Sequence, residues 1–76
     1  MSVKAYILAN VEAGLGDDVI ETLSVLDGVK SAHKVTGPHG VIPFVEVPDT
    51  DTLGELIITK IQPVEGIVYT LTCVVI

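Results

Sequence analysis

A chain of 76 residues holds one domain at most, because two cores of half that size would each be too small to fold unaided. Hydrophobic residues make up 49% and charged residues 18%, which excludes a disordered tail, and no apolar run approaches the ~20 residues of a membrane helix. Four lysines, no arginine and ten carboxylates leave a formal charge of −6, which excludes phosphate-driven nucleic-acid binding and any bidentate guanidinium clamp.

The N-terminal Met-Ser-Val-Lys-Ala-Tyr-Ile-Leu has no long apolar core and no small-residue cleavage site. It does not read as a secretory signal, and the expected location is the cytoplasm. The single Cys73 cannot close an internal disulfide, nor supply a four-ligand zinc site even with His33 and His39. A domain of this size with no staple has a marginal core, so self-association is expected to supply the rest of its stability.

Val3, Ala5, Ile7 and Ala9 alternate with Lys4, Tyr6, Leu8 and Asn10, which predicts a first strand, β1, over 3–11. Gly14 and Gly16 end it. Asp17 and Asp18 then stand where carboxylates complement a helix N-terminus, and Val19, Ile20, Leu23 and Leu26 recur at helical spacing. These residues predict α1 over 16–27, with Gly28 as a left-handed terminator. Val29 to Val35 resumes an extended but half-polar pattern and suits an edge strand, β2. Thr36-Gly-Pro-His-Gly40 turns the chain, and 41–47 is the return strand β3, with Pro43 expected to bulge it or leave its start unpaired.

Asp49-Thr-Asp-Thr52 is helix-start chemistry. Thr52 and Glu55 fit a capping box, with Asp49 to Asp51 as competing caps. Leu53, Leu56, Ile57 and Ile61 follow on one face of α2, which Pro63 ends by Gln62. The last strand, β4, runs over 67–76 with both registers apolar. The order βαββαβ predicts a ferredoxin-like α+β sandwich: an antiparallel sheet ordered 4-1-3-2, fixed by right-handed crossovers, with both helices on one face. The opposite face, including Tyr6, Leu8 and one half of β4, is bare and is the candidate oligomer interface.

No reactive side chains form a recognisable catalytic set. Cys73 with His33 or His39 as base is outweighed by a small buried strand cysteine. His33 and His39 lack supporting metal ligands, so His33 reads as a surface histidine. Asp17-Asp18 and Asp49 to Asp51 read as helix capping rather than Ca²⁺ ligands, and Tyr6 and Tyr69 as packing aromatics. Val35 to Gly40 reads by itself as a hairpin turn, yet such a turn exposes backbone donors and acceptors that suit a zwitterion, with Thr36, Thr70 and Thr72 adding hydroxyls.

Several segments carry a family resemblance. Gly28-Val29, Val35-Thr-Gly-Pro-His-Gly40, Leu53-Gly-Glu-Leu56 with Ile61, and Gly66-Ile-Val-Tyr-Thr-Leu-Thr72 together resemble the effector (RAM) domain of Lrp/AsnC transcription regulators, in its stand-alone form without a helix-turn-helix. The resemblance spans essentially the whole chain, read as one domain over 1–76. It implies a non-enzymatic module, without cofactor or metal, that senses an amino acid or small metabolite. It further implies dimerisation through the sheets, assembly of dimers into rings, commonly octamers, and co-assembly with full-length regulators. No direct nucleic-acid or membrane partner is implied. Thr36, Gly37, His39 and Gly40 would form the turn side of the ligand pocket, with Thr70 and Thr72 contributing from β4. The family often has aspartate where this chain has Gly40, which shifts a ligand's ammonium onto carbonyls and threonine hydroxyls. An ACT-like regulatory domain, or a small ferredoxin-like monooxygenase using His33, remains as an alternative. An acyl-phosphate hydrolase is disfavoured by the missing arginine.

Overall fold

The structure, a computed structural model, describes residues 2–36 and 40–76. The elements run β1 (Val3–Val11), α1 (Gly16–Ser24), β2 (Val29–Lys34), β3 (Val41–Val47), α2 (Thr50–Leu56) and β4 (Ile67–Val74). A π-helical turn, Ile57–Ile61, prolongs α2. The four strands form one antiparallel sheet ordered β2-β3-β1-β4, the expected order read from the other edge.

The alternation in β1 sorts its side chains between two faces. Ala5, Ile7 and Ala9 are wholly buried, as are Val41 and Val45 of β3, and Val19 and Leu23 of α1 close over them. Leu53, Leu56, Ile57 and Ile61 complete the core from α2 and its π turn. Residues directly opposite across a ladder share a face. Tyr6 therefore lies on the other side with Phe44 and Cys73, as does Leu8 with Leu71, and Asn10 with Tyr69. Tyr6 and Phe44 stack with ring centroids 4.8 Å apart. No element covers this face among the described residues, and Tyr6 and Leu71 keep 48% and 51% of their surface exposed. Its polar corner is Glu46, opposite Lys4; the Ser2 hydroxyl donates to Glu46 Oε2 at 2.6 Å. That bond, aided by Lys4 and Lys30 against partial desolvation, holds the Glu46 carboxyl below its ordinary range.

Four expectations change. Helix α1 ends at Ser24 rather than near 27, because Leu26 N–H donates to Leu23 O at 3.1 Å and tightens the chain toward β2. Gly28 then takes φ +92°, with no room for a Cβ beside Val47 Cγ1 at 3.2 Å. Pro43 does not bulge β3: it is buried and opposite Ala32, and Val41 is paired on both sides. The β1 ladder passes over Pro43 and Ile42 and resumes in the same register, while the irregularity falls in β2 between Val29 and Ser31. The cap of α2 is Asp49, whose carboxylate accepts from Thr52 N–H at 2.7 Å, so the Thr52–Glu55 box is not the start. Lastly, Cys73 is exposed rather than buried, since its register of β4 pairs with Tyr6 on the uncovered face.

Candidate functional site

The end of β1, the start of α1, the end of β2 and the return into β3 converge at one end of the sheet. Gly40 N–H donates to Ala9 O and Val35 N–H to Gly40 O, both at 3.0 Å, so the two ends of the β2–β3 connection are tied to each other and to β1. Glu12 N–H donates to Gly66 O at 2.8 Å and Leu15 N–H to Glu12 O at 3.1 Å, which fixes the loop between β1 and α1 beside it. Between these loops lies a cavity of about 330 Å³. Val11, Val35 and Gly40 form one wall of it, and Gly14 and Gly16 form another. Its charged residues are Glu12, Asp17 and Lys34. Lys34 Nζ lies 2.9 Å from Asp17 Oδ1, joining the end of β2 to the first turn of α1.

Of the residues singled out from the sequence, Gly40 lines this cavity. A Cβ there would meet Val11 Cβ at 3.3 Å, so the glycine lets the turn approach β1 closely. Gly37 and His39 lie outside the described residues. Thr36 is exposed at the end of β2 and is not in the lining. Thr70 and Thr72 are half-buried opposite Ala9 and Ile7, which puts them on the helix side of β4, and Thr70 Oγ1 accepts from Gln62 Nε2 at 3.3 Å. The two groups thus flank the same stretch of β1 without sharing the cavity among the described residues. His33 is exposed on edge strand β2, opposite Ile42. Among the described residues no cluster of three or more histidine, cysteine or acidic side chains is placed to hold a metal ion.

Nothing local in the sequence brings Glu12, Asp17 and Lys34 together: Asp17 reads as a helix-dipole carboxylate and Lys34 as part of a polar edge strand, and the signal that joins them at the cavity is spatial. A second depression, of about 510 Å³, lies at the other end of β3, between Leu26, Val47, Thr52 and Glu55 of α2, and Thr59 of the π turn. It has no part in the turn.

A βαββαβ sandwich with one apolar sheet face uncovered, and a charged cavity beside the β2–β3 turn, is a ferredoxin-like α+β domain. Residues 4–76 match the family model for the Lrp/AsnC ligand binding domain, and the chain belongs to that family. Comparison with curated proteins gives no match. Among solved structures, the chain is similar to AsnC of E. coli, with 28% identity and a TM-score of 0.91 over 97% of this chain and 50% of that one. It is similar also to the hypothetical protein PHS023 of Pyrococcus horikoshii, with 34% identity and a TM-score of 0.91 over 97% of this chain and 89% of that one. The transcriptional regulator NMB0573 of Neisseria meningitidis, solved as a complex with L-Met, shares the fold at 13% identity, with a TM-score of 0.87 over 97% of this chain and 49% of that one. The chain thus spans about half the length of the E. coli and Neisseria regulators. No helix among the described residues is long and apolar enough to cross a membrane.

Proposed function

We propose that the chain is a non-enzymatic sensing and assembly domain of the Lrp/AsnC type, which binds a small amino acid or related metabolite beside the β2–β3 turn. In this reading the ligand sits in the cavity that Gly40 lines, with Thr36, Gly37 and His39 on the turn beside it, while Thr70 and Thr72 of β4 flank the same stretch of β1 from outside that cavity. Copies associate through the uncovered sheet face into dimers, and dimers associate further into rings such as octamers. The domain works in the cytoplasm by co-assembling with full-length regulators, rather than by gripping DNA itself. Its charge of −6 without a single arginine supports that division of labour.

The observation that carries this reading is the uncovered face, where Tyr6, Phe44, Leu8 and Leu71 present contiguous apolar surface on a domain of a regulator family. A large apolar patch on a small domain marks an association surface. The L-Met complex of the Neisseria regulator, on the same fold, supports an amino acid as the class of ligand. The test is calorimetric titration with the twenty standard amino acids, with light scattering before and after addition of any that binds. Saturable binding with a change in assembly size is expected; a monomer that binds none of them contradicts the reading.

A further inference from the structure

The Lys34–Asp17 pair at the cavity mouth is unusual in how it is accommodated. The lysine stem crosses the backbone of Gly16: a Cβ built on that glycine would lie 3.1 Å from Lys34 Cδ and 3.7 Å from its Cγ. A Cβ at position 16 would make the lysine stem give way by a few tenths of an ångström, so the bare backbone lets Lys34 pass closely over Gly16 on its way from the end of β2 to Asp17. The pair it makes there is 57% exposed on the lysine side and 83% on the aspartate side. Ion pairs so well hydrated contribute little to stability and open readily. Lys34 is also the only cationic side chain lining the cavity among the described residues, against the carboxylates of Glu12 and Asp17.

We propose that Lys34 is the specificity-determining residue of the cavity: it leaves Asp17 to take the carboxylate of a zwitterionic α-amino acid, while Asp17 takes the ligand's ammonium. The inference rests on the reading of this cavity as the amino-acid site. Its physical basis is complementarity of two dipolar pairs. A zwitterion inserted between Lys34 and Asp17 exchanges one ion pair for two and leaves both of those side chains paired. A ligand without a carboxylate has to compete with Lys34 for Asp17. A ligand without an ammonium meets Glu12 and Asp17 as like charges. In a chain without arginine, lysine is the one side chain that carries a permanent positive charge for this task.

The experiment is calorimetry on the full chain, using a standard amino acid that binds, its primary amide and its des-amino acid. Lys34→Met is expected to weaken the amino acid about fivefold or more while leaving binding of the amide unchanged or tighter, because Asp17 is then free, and Lys34→Arg is expected to retain most of the affinity. Circular dichroism of each variant confirms that the fold is intact. Equal affinity of Lys34→Met and the parent for the amino acid overturns the inference, as does equal loss of amino acid and amide by a folded variant. If the parent chain binds no amino acid, the sensing reading itself fails, and this inference with it. The parent titration therefore separates the two failures.

Discussion

Tyr6 of β1 and Phe44 of β3 face one another across the ladder with ring centroids 4.8 Å apart and planes tilted by 44°, on the side of the sheet that neither helix covers. Aromatic pairs of this geometry are ordinarily core features. Here the pair anchors a surface that also holds Leu8 and Leu71, themselves opposite each other on β1 and β4. A charge placed in the middle of such a surface blocks burial by a second copy without entering the core. Leu71→Glu is therefore expected to lower the assembly size measured by light scattering, while its far-UV circular dichroism matches that of the parent.

Asp49 caps α2, and the N–H of Thr52 that it accepts holds its carboxyl below the usual aspartate range. A carboxyl more acidic in the folded chain than in the unfolded one binds fewer protons when folded, so it contributes stability at neutral pH that is lost as pH falls through its depressed folded value. Glu46 has the same sign through the Ser2 hydroxyl. Asp49→Asn keeps a capping oxygen but not the titration. Its thermal midpoint is expected to fall less than the parent's between about pH 6 and about pH 3. Asp49→Ala is expected to lower the midpoint at both.

Gly66 opens β4 at φ +103°, and a Cβ there would lie 3.0 Å from Val19 Cγ2 and 3.1 Å from Leu15 Cβ. Both the backbone conformation and the packing exclude a side chain. Gly66→Ala is expected to cost about 1–3 kcal/mol in urea unfolding. It should also loosen the loop that Glu12 N–H ties to Gly66 O, which borders the cavity.

The π turn decides which of its isoleucines face inward. Ile61 is wholly buried, whereas Ile58 is 64% exposed. Ile61→Ala is expected to destabilise by roughly 2–5 kcal/mol through the cavity it leaves, and Ile58→Ala by less than about 0.5 kcal/mol. Similar losses from both would mean that the turn is wound differently.

How legible the fold was depended on whether a pattern had one meaning. Strands β1 and β3 each have one register that is apolar throughout, Val3 to Val11 and Val41 to Val47, and their ends agree with the periodicity; the sheet order follows from the two crossovers. In β4 both registers are apolar, so nothing in the sequence says which half the core takes, and Cys73 was assigned to the wrong side. The π turn is equally hidden, because Ile57, Ile58 and Ile61 read as helix under either winding. Competing caps at Asp49, Asp51 and Thr52 were resolved only by which oxygen reaches an N–H. Pro43 reads as a bulge or an unpaired strand start, yet the sheet absorbs its missing N–H by a gap in the β1 ladder. The charged part of the site joins residues 17 positions apart on different elements, and no local pattern encodes that meeting.

The most direct test of the account is sedimentation velocity of the unmodified chain from micromolar to millimolar concentration. The uncovered face predicts a dimer or larger particle throughout, with a frictional ratio that does not change on dilution. A folded single subunit at the highest concentration would contradict it.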